Sequence, residues 1–260
     1  MKIINKNLIK QLIKITLEAS KIISDKREIN VLYNKDCIRE LVTNKDLEVN
    51  KFLTKGLKKT KIPVLSEESR TFNSIYNKKK IWALDPIDGT VNYINNSPNF
   101  GISIGLISNK TFIFGIVCLP AHNQLYFNTS NKKCYLNGIS LTHNHKKISD
   151  SLVAVSLGSF PSDKEMLLFK NINILSLGCL RTGCTSMNIC WTAINRFQVS
   201  YGFNVKIWDA TGALAIAKAS GCKVLINKKK NSNTLDFIVG SNNAVKEILK
   251  ESKKLGLWKI

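Results

Sequence analysis

The chain has 260 residues, a formal net charge of +21 from 39 basic against 18 acidic side chains, and 44% hydrophobic residues. That length allows a large core in one domain or two packed subdomains, and the composition excludes a disordered chain. No apolar run approaches the roughly 18 residues of a membrane span, and Met1-Lys2-Ile3-Ile4-Asn5-Lys6 breaks its apolar stretch too early to read as a signal peptide. Seven scattered cysteines without a Cys-x-x-Cys spacing predict reduced, buried thiols in a cytoplasmic protein, and argue against a disulfide framework or zinc site. His122, His143 and His145 lack metal-ligand spacing and read as plain surface histidines. The positive charge raises nucleic acid as a partner, but only Arg27, Arg39, Arg70, Arg181 and Arg196 are arginine, and arginine is the preferred reader of bases and phosphates. The lysine clusters Lys78-Lys79-Lys80, Lys228-Lys229-Lys230 and Lys253-Lys254 have no interleaved aromatics to stack bases. They read as solvated faces that steer anionic substrates.

In chain order, apolar residues from Leu8 to Ile23 recur at helical spacing and predict an amphipathic helix. A second helix is expected over Asn44 to Lys58, with Asn44 as its N-cap. Ile62-Pro63-Val64-Leu65 reads as a short strand delivering Glu67, and Ile81-Trp82-Ala83-Leu84 as another delivering Asp85. Gly101 to Ser108 and Thr111 to Leu119, turning at Asn109-Lys110, open an antiparallel meander continued by Leu125 to Asn128 and Lys133 to Leu136. Beyond about residue 150 the pattern predicts strand Leu152 to Leu157, a helix over 163–170, strand Ile172 to Leu177, a helix over 185–195, helix Ala210 to Ala219 and strand Phe237 to Gly240. An antiparallel α+β half, residues 1–147, thus precedes an α/β half, residues 148–260.

The acidic residues fall where strands end and helices begin. Asp85-Pro86-Ile87-Asp88-Gly89-Thr90 sets two carboxylates three residues apart before a turn glycine. Mg²⁺ prefers oxygen ligands and is usually bound by carboxylates together with a substrate phosphate. Glu67-Glu68 lies upstream and Trp208-Asp209 far downstream. Each piece alone has an ordinary reading: a type I turn for the hexapeptide, a solvated pair for the glutamates, a helix cap for Asp209. Their order along one chain points instead to a two-metal phosphatase.

Val42-Thr43-x-x-Asp46, Leu65-Ser66-Glu67-Glu68-Ser69, the Asp85 to Thr90 hexapeptide, Arg181-x-Gly183 and Trp208-Asp209-Ala210-Thr211-Gly212 together resemble the inositol monophosphatase superfamily over nearly the whole chain. The resemblance implies a layered α-β-α-β-α sandwich and an Mg²⁺-dependent phosphomonoesterase with two or three ions per site. Glu67, Asp85 and the Ile87 carbonyl match the ligands of one ion; Asp85, Asp88 and Asp209 match those of a second. Asp46 and Thr90 match the pair that orients the attacking water, with Glu67 beside it. Gly89, Thr90, Gly183, Cys184 and Thr185 match substrate-binding positions, and Lys35 a position near the metals. A homodimer and sensitivity to lithium are further implications of the resemblance.

Two departures bear on substrate. Gly202 stands where inositol-specific relatives place a glutamate for ring hydroxyls, and Gly183-Cys184-Thr185-Ser186 replaces a Gly-Ser-Ala-Ala segment. A small inositol or sugar phosphate is the expected substrate. Ile62 to Glu68 also resembles 3′(2′),5′-bisphosphate nucleotidases, which act on phosphoadenosine phosphate; fructose 1,6-bisphosphatase activity is a weaker third. A catalytically weak protein binding nucleic acid or protein through its basic surface is the alternative from another class.

Overall fold

The computed structural model describes residues 4–25, 29–34, 41–68, 78–228 and 232–258. Lys35, Cys37, Ser69, Lys229, Lys230, Arg27, Arg39 and Arg70 lie outside them. The chain opens with α1 (Lys6–Ser24), capped by Asn5 and buried along Ile9, Leu12, Ala19 and Ile23. β1 (Val31–Asn34) and β2 (Leu41–Thr43) form a small antiparallel pair. Next comes α2 (Asn44–Lys58), whose N-cap is Thr43 rather than Asn44. Thr43 and Asp46 bond reciprocally in a capping box, which satisfies two N-terminal donors where Asn44 could satisfy one.

A seven-stranded sheet follows: β3 (Val64–Ser66), β4 (Lys80–Asp88), then after the short helix α3 (Thr90–Ile94) the strands β5 (Gly101–Ser108), β6 (Thr111–Leu119), β7 (Gln124–Ser130), β8 (Lys133–Leu136) and β9 (Ile139–Ser140). All neighbours in it are antiparallel except β3 and β4. Asn109 and Lys110 both adopt positive φ at the β5–β6 turn, the geometry that a two-residue hairpin loop requires.

The second sheet is mixed. It contains β10 (Leu152–Leu157), then, beyond α4 (Asp163–Leu175), β11 (Gly178–Leu180), and after α5 (Thr185–Ala193) the strand β12 (Val199–Lys206). Helix α6 (Ile207–Ser220), β13 (Lys223–Lys228), β14 (Thr234–Gly240) and α7 (Asn242–Lys254) complete the chain. The strand order is β11-β10-β12-β14-β13. The strand expected over Ile172 to Leu177 does not form, because α4 runs on through Leu175 and the strand begins only at Gly178. A short apolar run suits either element, and the Ser162–Glu165 capping box decides for helix by fixing its start. Strands β1, β2, β9, β12 and β13 and helix α7 have no counterpart in the sequence reading. His143 is 4% exposed, with Nδ1 2.9 Å from the Thr192 carbonyl, so it packs in the interior and not on the surface. Lys228 is no solvated charge either: its ammonium sits 4.6 Å from the Phe112 ring centroid and donates to the Lys110 carbonyl.

Five layers result. Helices α1 and α2 cover one face of the seven-stranded sheet around Trp82, Leu84, Ile104 and Phe114. Helices α5 and α6 fill the space between the two sheets. Helices α4 and α7 close the outer face of the five-stranded sheet over Val153, Tyr201 and Ile238. The six described cysteines are all buried and free. Among the described residues, no helix is long and apolar enough to cross a membrane.

The middle layer fixes the position of Asp209. Helix α6 presents Thr211 and Gly212 to the sheet, where Gly105 and Gly115 leave no side chain between helix and strand. A Cβ on Gly105 would lie 2.6 Å from the Gly212 nitrogen, one on Gly212 would lie 2.6 Å from the Ile104 carbonyl, and one on Gly115 would overlap the Gly212 carbonyl. Helix and sheet are therefore in backbone contact, which only glycine permits. Gly115→Ala should push α6 off the sheet and destabilise the fold by about 1–3 kcal/mol, as overpacking does. Urea unfolding measures it; an unchanged midpoint would mean that this contact does not set the helix position.

Candidate active site

The site assembles where three elements end. Strand β3 runs parallel to β4, pairing Ser66 with Leu84, and the Glu67 N–H extends the ladder to the Leu84 carbonyl at 3.0 Å. Glu67 is thereby placed beside Asp85. At the end of β4 the pairing with β5 becomes irregular between Asp85 and Asp88. There the Asp85 Oδ1 accepts from the Ile87 N–H at 3.0 Å, an Asx-type turn that aims the carboxylate inward. Gly89 follows with φ 91°, and a Cβ there would lie 2.8 Å from the Asn99 carbonyl. Both facts require glycine. Asp209 arrives from the other half of the chain, in the first turn of α6.

Carboxylate oxygens of Glu67, Asp85 and Asp209 all lie within 4.8 Å of one another, with Asp85 buried and the other two half-buried. Burial, joined by the charges of Glu67, Asp209 and Asp88, pushes the Asp85 carboxyl well above its ordinary range. Burial and the charges of Asp88 and Glu67 do the same for Asp209, while Lys206 pulls the other way. Three oxygen donors so close could hold a metal ion.

Asp88 is used differently. Its Oδ2 accepts from the Ser186 N–H at 2.6 Å and from the Cys184 thiol at 3.2 Å, and its Oδ1 from the Thr185 N–H at 3.3 Å. The nine-residue helix α5 thus places its N-terminal donors on a carboxylate, as the helix dipole favours. Burial raises the Asp88 pKa and these bonds oppose the rise. Burial, with the Asp88 charge beside it, holds the Cys184 thiol well above its ordinary range, so the thiol is a donor and not a thiolate.

Asp46 and Thr90 meet as a pair. The Thr90 hydroxyl lies 3.2 Å from Asp46 Oδ1 and 2.9 Å from the Ile87 carbonyl. The other Asp46 oxygen accepts from the Thr43 N–H and hydroxyl. Burial pushes Asp46 up to about 7 against the Thr43 hydrogen bonds. Gly183 takes φ 83°, and the Asn92 side chain beside it bonds the Asn99 and Thr182 carbonyls, joining α3 to the loop before α5.

Glu67, Asp85, Ile87, Asp88, Gly89, Thr90, Gly183, Cys184, Thr185 and Asp209 all line one cleft of about 310 Å³, and Asp46 reaches it through Thr90. Gly202 does not line it. That residue is buried in β12 between Ser156 and Phe237, and a Cβ there would lie 2.8 Å from the Phe237 ring. The same strand instead contributes Asn204, Val205 and Lys206, and Arg181 and Ser156 also border the cleft. Sequence reading missed Asn204 and Lys206 because no strand was expected there, and Ser156 because nothing local marks which residues of the expected strand Leu152 to Leu157 border a cleft. The only available signal was Lys206, three residues ahead of Asp209.

The comparisons agree with this architecture. The model of the inositol monophosphatase family matches residues 4–255. Inositol monophosphatase 1 of Bos taurus is 31% identical over 208 residues, 75% of this chain and 74% of that protein. The fructose-1,6-bisphosphatase/inositol-1-monophosphatase of Aquifex aeolicus is 31% identical over 183 residues, 66% of this chain and 67% of its own. Among solved structures, extragenic suppressor protein SuhB of Bartonella henselae superposes with a TM-score of 0.84 at 19% identity, covering 96% of this chain and 99% of that one. The five-layer sandwich is therefore that of a known enzyme group, and the chain belongs to the inositol monophosphatase family, as a phosphatase of that type.

Proposed function

We propose that the chain is an Mg²⁺-dependent phosphomonoesterase that hydrolyses a small inositol or sugar phosphate with water as the nucleophile. The observation that carries the reading is the triad Glu67, Asp85 and Asp209 within 4.8 Å. Its donors are all oxygen, with no histidine or cysteine among them, which suits a hard cation such as Mg²⁺ rather than zinc. Glu67, Asp85 and the Ile87 carbonyl would hold one ion, and Asp85, Asp88 and Asp209 a second, with a third possible beside them. Asp88 can serve although α5 donates to it, since a carboxylate offers about four lone-pair sites. Ions bound there lower the pKa of water and offset the charge on the phosphate oxygens.

The chain's own groups do the rest. Thr90 Oγ1 accepts a proton from the attacking water while passing its own to Asp46 Oδ1, 3.2 Å away. Burial keeps Asp46 basic enough to receive it. Gly89 and Thr90, at the first turn of α3, offer backbone N–H groups to the phosphate. Gly183, Cys184 and Thr185 form the wall facing the leaving alcohol. The names of the bovine and Aquifex relatives, an inositol monophosphatase and a fructose-bisphosphatase/inositol monophosphatase, support this substrate range. Lithium inhibition is expected on the same grounds.

We also infer a homodimer. Strand β11 is the three-residue edge of its sheet, and beside it Ile174, Leu177 and Leu180 are 72%, 68% and 44% exposed. A short edge flanked by exposed aliphatic side chains is well suited to burial against a second copy. Light scattering on the eluting protein should give twice the chain mass, and Leu177→Asp should return it to one. A monomer before substitution would remove this inference.

Asp85→Asn tests the metal site directly. The variant should lose at least about a hundredfold in Mg²⁺-dependent phosphate release. It should also melt no lower than the parent in chelator, because a repelled buried charge has gone. Turnover near the parental rate would show that Asp85 does not bridge the ions.

The raised carboxyl values give a pH dependence with a definite sign. When the folded-state pKa lies above the unfolded one, the native state holds the proton more tightly. That stability is complete below the unfolded range and is lost as pH rises through the folded value. Asp85, Asp88 and Asp209 are all shifted upward, so the metal-free protein gives up stability from them as pH climbs toward neutrality and beyond. Bound Mg²⁺ removes the repulsion and competes with protons, so it should raise the melting temperature more at pH 8 than at pH 5.5. For a protein of this size each 1 kcal/mol corresponds to about 2–4 °C. Equal shifts at both pH values would count against an ion held by these carboxylates.

A further inference from the structure

Residues 141–147, between β9 and the helical turn at Ile148–Asp150, form neither helix nor strand, yet they are held at many points. The His143 N–H donates to the Ser220 carbonyl at 2.8 Å, the Asn144 N–H to Asn195 Oδ1 at 2.7 Å and the Lys146 N–H to Gln198 Oε1 at 3.0 Å. The Ser241 hydroxyl donates to the Lys146 carbonyl at 2.9 Å, and the Asn242 N–H reaches His145 Nδ1 at 3.4 Å. Groups at the ends of α5, α6, β12 and α7 thus fix this stretch of backbone, and with it the place of the two imidazoles it carries.

His143 is 4% exposed, and its Nδ1 lies 2.9 Å from the Thr192 carbonyl. A carbonyl only accepts, so Nδ1 carries the proton and Nε2 the lone pair. That Nε2 is buried without a hydrogen-bond partner among the described residues. Burial, partly opposed by the Thr192 bond, holds the His143 pKa down at about 4, so the ring is neutral at pH 7 and the lone pair is open. An orphaned buried nitrogen calls for a water or an ion. An imidazole that donates its other N–H to a backbone carbonyl is the common state of a metal-ligating histidine.

A second imidazole stands beside it. The His145 ring centroid is 5.4 Å from that of His143, with the ring planes 79° apart. Two imidazoles bound to one ion at about 2.0–2.1 Å have centroids roughly 5 Å apart. His145 is exposed and free to turn, and its Nδ1 would give up only the long contact with Asn242. Gln198, 3% exposed, supplies a further orphan on the same segment, since its amide Nε2 also lacks a partner among the described residues. Such a donor suits a water carried by a bound ion.

We propose that His143 Nε2 and His145 Nδ1 chelate a divalent first-row transition ion of the Ni²⁺, Cu²⁺ or Zn²⁺ kind, at a metal site separate from the carboxylate cleft. Imidazole suits these ions, whereas the all-oxygen triad suits Mg²⁺. Among the described residues only the triad gathers three side-chain ligands, so water completes the shell here. The site is open, unlike the closed four-ligand set of a structural zinc. Neither histidine lines the cleft, so an ion held here stabilises the folded chain and takes no part in phosphate release. The competing account is a single buried water on His143 Nε2.

Ni²⁺ titrated calorimetrically into the full chain tests this, with saturating Mg²⁺ present to occupy the carboxylates. One Ni²⁺ per chain should bind, and the melting temperature should rise with Ni²⁺ concentration. His145→Ala, at an exposed position, should weaken binding at least about tenfold and flatten the melting response, while leaving Mg²⁺-dependent phosphate release unchanged. Electron paramagnetic resonance with substoichiometric Cu²⁺ should show coupling to two imidazole nitrogens in the parent and to one fewer in His145→Ala. His143→Leu should lose the same signal; should that variant fold poorly, the His145→Ala comparison decides alone. A parent chain that binds no Ni²⁺, or binding and spectrum unchanged by His145→Ala, overturns the site and leaves the orphaned nitrogen to water. Because binding is read directly, either result stands whether or not the chain hydrolyses any given ester.

Discussion

Mutual repulsion among carboxylates is the constraint around which this fold is built. Glu67, Asp85 and Asp209 come from three elements, two of them separated from the third by more than a hundred residues of chain, yet their oxygens lie within 4.8 Å. Like charges so placed raise one another's pKa and oppose the folded state. The cluster persists because the surrounding structure over-determines each member. The parallel pairing of β3 with β4 seats Glu67, the turn after Asp85 fixes that side chain by a bond from the Ile87 N–H, and α6 is pressed onto bare sheet backbone at Gly105 and Gly115. Stability drawn from three apolar layers is spent at one point, as functional sites commonly require.

The helices around the cleft divide the electrostatic work. Helix α5 turns its first N–H groups and the Cys184 thiol onto Asp88, which stabilises a cleft-lining carboxylate outside the triad. Helix α2 places Asp46 at its capping box and thereby buries it against Thr90. One side chain thus completes a helix terminus and also accepts from the Thr90 hydroxyl. Substitution at Asp46 would disturb both functions, so its kinetic effect is interpretable only beside a stability measurement.

The parts legible in the sequence were those set by local rules. The amphipathic period of α1, the long β5–β6 hairpin and the acid-glycine turn at Asp85 each depend on neighbours a few residues away. Thr43, Asp46, Glu67, Asp85, Asp88, Thr90 and Asp209 could be singled out because their order along the chain carries the family's pattern. Where tertiary contact decides, the sequence was a poor guide. Ile172 to Leu177 has the composition of a strand, but the Ser162 cap commits it to helix through Leu175. Asn44 is a good capping residue in isolation, but Thr43 wins because Asp46 can return its hydrogen bond. His143 carries no local sign of burial; it is interior because Thr192, 49 residues away, supplies a carbonyl.

The substrate side of the cleft was least legible, for a definite reason. A strand's side chains alternate between faces, and a slip of one residue exchanges them. Counting seven positions back from Asp209 leads to Gly202 and suggests an emptied subsite. The bulge between Gly202 and Val205 means that residues beyond it no longer follow the alternation that precedes it. What fixes the bulge is Asp236, on a different strand and 32 residues from Asn204, a long-range bond with no local signature. Spacing therefore singles out the clustered carboxylates, which sit at element ends, but not the cleft residues Asn204 and Lys206, which sit within a distorted strand. In this chain the irregular stretch brings Asn204 and Lys206 to the border of the cleft.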